Sequence, residues 1–196
     1  MTFSLTDKSF RDILSELSSR APTPGGGSAC AAASAMGAAL LVMAASLEKT
    51  RTGSSDDRSS LDAAYRVLID IERKLTDAID ADGVAYDRLI EARRQPKISD
   101  LERTARTSAI QRALRGATEV PLHVMRLSAA ALEQAGSVVA HAHRAAEADI
   151  AVAVTLLRAG FEGARLTADA NLAVLLDTSY VEAVKGECLR LAGRAG

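Results

Sequence analysis

The chain has 196 residues, 48% hydrophobic, 25% charged and 3% aromatic, with no tryptophan and a formal net charge of −1. That length and composition suit one domain spanning residues 1–196 and exclude a disordered chain. The near-neutral charge offers no electrostatic case for nucleic acid or an anionic membrane as a partner.

Helical periodicity dominates from end to end, without any sustained alternation of period two. Residues 7–19 carry Phe10, Ile13, Leu14 and Leu17 at helical spacing. This N-terminal stretch lacks the basic and apolar regions of a secretory signal, so a cytoplasmic location is expected. Pro22 and Pro24 end it. A second helix is expected from Ser28, a competent N-cap, to about residue 49. A loop follows, then a long helix over about 57–94 with Leu61, Leu68, Leu75 and Ile79 on one face. Asp100 is placed to cap a fourth segment reaching about 134, disturbed at Pro121. Residues 137–176 read as one or two helices and 178–193 as a last short one. The expected fold is all-α, an up-and-down bundle of about six helices. Cys30 and Cys188 lie far apart without metal-like spacing and are expected to be reduced thiols.

The stretch "APTPGGGSACAAASAMGAALLVMAASL", residues 21–47, raises three readings. Residues 29–47 carry no charge and approach the length of a bilayer span. Most of them are Ala, Ser or Gly, with little insertion energy and no aromatic belt, so a buried central helix is the better reading. Its small residues would also permit close packing across a subunit interface. A phosphate loop of the Walker type is excluded, because no Lys-Ser/Thr follows the glycines. Gly25, Gly26 and Gly27 do leave backbone N–H groups open at a helix N-terminus, where an anion or polar ligand atom is favoured.

Three polar residues fall on otherwise apolar stripes. Asp82 follows Leu75 and Ile79 on the long helix, with Tyr86 one turn further on. In "ADIAVAVTLLRAGFEGARLTADANL" a stripe stepped through Ala146, Ala153, Gly160 and Ala164 also takes in Asp149 and Asn171. A carboxylate in such a position is either paired or suited to acid–base work, or it caps a kink near Gly83. His141 and His143 point about 200° apart on a helix and cannot chelate one metal as an i,i+4 pair would. With His123 they read as surface or packed residues. The basic run from Arg88 to Arg115 reads as a solvated face.

"APTPGGGSACAAASAMGAALLVMAA", "DGVAYDRLIEARRQPK", "ATEVPLHV" and "ADIAVAVTLLRAGFEGA" together resemble the cyclodeaminase/cyclohydrolase family. That family comprises the C-terminal domain of formiminotransferase-cyclodeaminase and the stand-alone methenyltetrahydrofolate cyclohydrolases. The resemblance implies a homodimeric helical bundle that acts on a tetrahydrofolate derivative without a metal or a tightly bound cofactor. The implied reaction hydrolyses 5,10-methenyltetrahydrofolate to 10-formyltetrahydrofolate, or deaminates 5-formiminotetrahydrofolate. It assigns substrate contacts to Pro22, Thr23, Pro24, Gly25, Gly26, Gly27 and Ser28, and acid–base chemistry to Asp82. Asp149 and Asn171 match further polar positions of the family, and Tyr86 its aromatic one.

The chain also departs from the family's pattern. Only Lys49 and Arg51 stand where relatives carry a Lys-rich stretch. Ala148 replaces a serine and Thr167 an asparagine. These losses motivate two alternatives: a diverged enzyme acting on another cyclic amidine or imine, and a non-catalytic folate-binding protein.

Overall fold

The computed structural model describes residues 4–195. Six α-helices follow one another: α1 (Phe10–Leu17), α2 (Gly26–Ser46), α3 (Ser55–Arg94), α4 (Asp100–His141), α5 (Glu147–Leu172) and α6 (Thr178–Ala195). Local chemistry sets several boundaries. Ser9, Ser54 and Ser99 each accept a backbone N–H three residues on, and Ser99 with Glu102 completes a capping box. Three expectations fail: Ser99, not Asp100, caps α4, because its hydroxyl reaches the Glu102 N–H and leaves Asp100 as the first helical residue. Ser28 is not an N-cap: α2 begins at Gly26 with Gly25 as cap. Nor does Pro121 disturb α4, which runs unbroken to His141.

Helices α2 to α5 form the up-and-down bundle. Cross-links establish the order: Ser28 meets Asp82, the Ser34 and Ser128 hydroxyls share a fully buried hydrogen bond of 2.8 Å, and Asn171 reaches Ala117. The core is aliphatic, with Leu41, Leu61, Leu68, Leu75, Leu122 and Leu157 all fully buried. Burial of each such side chain contributes roughly 1.5–3 kcal/mol. Helix α6 lies parallel to α4 on the outside. Glu119–Tyr180, Arg126–Glu187 and Glu133–Arg194 pair at 2.7, 2.6 and 2.6 Å. These partners recur every seven residues on both helices, as a parallel pair in register requires.

By length and composition α2 could cross a bilayer, yet half of its most apolar window is buried inside the bundle. It has no charged residue, and α3 supplies charges at both of its ends. Asp82 accepts from Ser28 at the N-terminus, while the Arg58 guanidinium donates to the carbonyls of Ala45 and Leu47 at 2.7 and 2.8 Å. Twenty-four residues separate these two on α3, about 36 Å, which brackets a helix of 21 residues and about 31 Å. An anion at the N-terminus and a cation at the C-terminus each oppose the helix dipole favourably.

At the Arg58 end, Asp57 is buried and accepts from the Thr52 backbone and hydroxyl, each at 2.7 Å, and lies 2.9 Å from His141 Nδ1. The His141 contact and the Thr52 hydrogen bonds hold the Asp57 carboxyl well below the usual carboxylate range. A lowered folded-state pKa contributes stability that is complete above the unfolded value of about 3.9 and is lost as pH falls below it. Thermal melts should therefore show wild type losing stability faster than Asp57→Asn between pH 5 and pH 2. Parallel acid profiles would assign the acid sensitivity to other groups.

Candidate functional site

At the first turn of α2 the glycine-rich turn meets an ionisable side chain of α3. Asp82 Oδ2 accepts from the Ser28 backbone N–H at 2.9 Å and from its hydroxyl at 3.0 Å. A carboxylate from a neighbouring helix thus does the work of a side-chain cap, which Gly25 cannot provide. Asp82 Oδ1 accepts no hydrogen bond from the described residues. It lies directly against Gly27, where an added Cβ would overlap it. A side chain at Gly27 would therefore have to displace the Asp82 carboxylate.

The walls of the site rise beyond α2. From Asp82, α3 continues to Arg94, about 18 Å further. α4 returns from that level, and α5 passes Cys30 at Gly163 and runs on to Leu172. Beyond the N-terminus of α2, the helices α3, α4 and α5 accordingly continue without it. Asp82 and Tyr86 are half-buried on α3, one turn apart. Thr23 and Gly25 are half-buried, Pro24 is buried behind a cis peptide bond, and Pro22 and Gly26 are exposed. Cys30, which sequence reasoning left as an ordinary thiol, lies within this region. Burial and then the Asp82 charge push its thiol up from the usual range, while a hydrogen bond from Thr167 acts in the opposite direction.

Asn171, eight residues further along α5 than Gly163, has a structural duty. Pro121 has no N–H to donate to the carbonyl four residues earlier, that of Ala117. Asn171 Nδ2 donates to that carbonyl at 3.0 Å instead. This explains why α4 passes through Pro121 without breaking. Asn171→Ala should cost about 1–2 kcal/mol by leaving the carbonyl unpaired. In a Pro121→Ala background the restored N–H should make the same substitution nearly neutral. A double-mutant cycle by thermal or urea unfolding would read this coupling, and strictly additive losses would refute it.

Two expected site residues lie elsewhere. Asp149 is exposed, not on the buried stripe, because α5 buries Ile150, Ala153, Leu157, Ala164, Ala168 and Leu172. It stands in the first turn of α5, some 27 Å along that helix from Thr167. Lys49 is also exposed, just past the C-terminus of α2 and so at the opposite end of the bundle from Asp82. Neither belongs to the Asp82 site within one chain. Among the described residues no group of three or more His, Cys, Asp or Glu side chains is arranged to hold a metal ion.

Comparison with known proteins bears on this geometry. The family model for formiminotransferase-cyclodeaminase matches residues 9–190. The chain is 33% identical to the methenyltetrahydrofolate cyclohydrolase of Methylorubrum extorquens over 190 residues, covering 97% of this chain and 91% of that one. It is 32% identical to the formimidoyltransferase-cyclodeaminase of Sus scrofa over 93% of its own length, but spans only 34% of that larger protein. The fold superposes on formiminotetrahydrofolate cyclodeaminase of Thermotoga maritima with a TM-score of 0.85 at 22% identity, covering 96% of this chain and 90% of that one.

Proposed function

This chain belongs to the formiminotransferase-cyclodeaminase family, and on that premise we propose that it is an enzyme of folate one-carbon metabolism that hydrolyses 5,10-methenyltetrahydrofolate to 10-formyltetrahydrofolate. The observation that carries the reading is Asp82. Ser28 fixes one of its carboxylate oxygens, while the other accepts no hydrogen bond from the described residues.

The chemistry follows from the substrate. The methenyl carbon is part of an amidinium cation, already electrophilic enough to need no Lewis acid. A fixed carboxylate stabilises that cation and accepts a proton from the attacking water. The proton then passes to N5 as the carbon–N5 bond breaks. The hydroxyl proton leaves to solvent as the formyl C=O forms on N10, so one proton is released per turnover. The N–H groups of Gly26 and Gly27 at the start of α2 favour the oxygen as it gains negative character. Pro22 to Ser28 shape the approach, and Tyr86 offers a face to a flat ring. Asp149 and Lys49 are left out of this machinery.

Deamination of 5-formiminotetrahydrofolate is the second reading, motivated by the bifunctional relatives, with ammonia leaving where hydrolysis adds water. Loss of the methenyltetrahydrofolate absorbance on adding the purified protein tests the first reading, at mildly acidic pH where the spontaneous reaction is slow. Ammonia release from formiminotetrahydrofolate tests the second. No acceleration of either would overturn a role in folate chemistry. We also propose a homodimer, because α5 presents Val152, Ala159, Leu166 and Ala170 as an exposed apolar stripe. Sedimentation at the mass of one chain would refute it.

A further inference from the structure

Helix α1 covers the bundle without packing on it. It is strongly amphipathic, yet none of its residues is buried, and Phe10 remains 62% exposed. Between its apolar side and the outer face of α2 lies a cavity of about 270 Å³. Phe10, Ile13 and Leu17 roof it; Ala29, Ala32 and Met36 form part of its floor. The space exists because α2 presents alanines where larger side chains would meet α1. An apolar helix face held over an apolar void forfeits contacts that close packing would supply.

The segments flanking α1 are anchored at the level of Asp82 along α3, the first of them on the opposite side of that helix. Before α1, the Ser4 hydroxyl, the Leu5 N–H and the Thr6 hydroxyl all donate to Asp80, two residues from Asp82 on α3. After it, the chain turns through Pro24 into α2. Ser28, which holds the Asp82 carboxylate, also lines the cavity. Ser28 therefore stands between this void and the Asp82 carboxylate, in contact with both.

We infer that this cavity receives the aminobenzoyl ring of the folate, with α1 acting as a strap over it. The inference rests on the reading of the chain as a folate enzyme. The ring is bonded directly to N10, one bond from the reacting carbon, so it must lie within a few ångströms of Asp82. An almost wholly apolar cavity smaller than a complete ligand site, which is typically about 300–1,000 Å³, fits one flat ring rather than the whole molecule. The polar pterin and glutamate parts remain outside it.

Ala32→Phe fills the cavity from its floor, and Phe10→Ala removes part of its roof. Because Phe10 is exposed, the second variant keeps its fold even where the first does not. Each should raise KM for methenyltetrahydrofolate about tenfold while kcat changes less than about threefold. Aminobenzoylglutamate, which lacks the pterin, should inhibit wild type competitively and Ala32→Phe much more weakly. If wild type turns over but Phe10→Ala keeps its KM and aminobenzoylglutamate does not inhibit, the inference falls and the folate reading stands. A change in sedimentation with KM unaltered would likewise overturn it, by assigning this face to a second copy of the chain. If wild type turns over neither folate substrate, the reading itself falls and takes the inference with it.

Discussion

Asp82→Asn is expected to lower kcat by about a thousandfold, near 4 kcal/mol of transition-state stabilisation, while leaving the fold in place. Asparagine is nearly isosteric and retains an oxygen that can accept from the Ser28 N–H and hydroxyl, now at 2.9 and 3.0 Å from Asp82 Oδ2. What disappears is the negative charge and the basic oxygen at the open position. Loss of the charge at the α2 N-terminus should cost only about 0.3–1 kcal/mol in stability. The two roles of Asp82 thus separate experimentally. An aspartate that merely caps α2 would give a slightly less stable variant with an unchanged rate. A catalytic aspartate gives a folded and nearly inactive one. Gly27→Ala supplies an independent check, since its Cβ would overlap Asp82 Oδ1 and displace the carboxylate while its charge is retained. A rate loss there with Asp82 intact would show that placement matters as well as charge.

The largest expected effect on stability comes from Gly160→Ala, at about 3 kcal/mol, or roughly 6–12 °C in Tm for a chain of this size. At this point α2 and α5 touch backbone to backbone. A Cβ on Gly160 would overlap the Ser34 hydroxyl and stand 2.7 Å from the Cys30 carbonyl and 2.9 Å from the Ser34 nitrogen. Gly37 makes the reciprocal approach from α2, where a Cβ would fall 2.7 Å from the Ala153 carbonyl. Backbone atoms cannot rotate aside as side chains do, so the helices must separate, and the Ser34–Ser128 bond with them. Gly116 is the control. It is exposed on α4 with nothing within 4 Å of its Cβ position. Gly116→Ala should therefore stabilise by about 0.5–1 kcal/mol, because alanine loses less backbone freedom in a helix. Equal melting temperatures for the two variants would mean that the α2–α5 crossing is looser than these distances state.

Much of the molecule was legible in order along the chain. Helix positions follow from a period near 3.6, a local consequence of side-chain chemistry, whereas the expected caps Ser28 and Asp100 each fell inside the helix, one to three residues past the true caps Gly25 and Ser99. The uncharged run in α2 announced a helix surrounded by others. Asp82 stood out because a carboxylate interrupted the apolar face of α3, and the glycines ahead of α2 marked a turn with open N–H groups.

Phase over long distances was less secure. Stepping α5 at an average of 3.5 residues put Asp149 on the buried stripe. The helix in fact buries Ile150, Leu157, Ala164, Ala168 and Leu172, a slower rotation that leaves Asp149 outside. Pro121 looked like a break because its own lost hydrogen bond is local, whereas the repair by Asn171 comes from 50 residues away. Asp57 and His141, 84 residues apart, carried no sequence signal that they would meet.

The sequence by itself determined the helical class, the order of the helices and the residue types available for chemistry, since each depends on neighbours a few positions away. Only the tertiary structure decided that Asp82 caps α2 while keeping one oxygen open, that Gly27 and Gly160 are sites of close approach, and that Asp149 and Lys49 lie at the far end. Those facts depend on which helix faces which and at what level, and that is settled by packing among segments far apart in the chain.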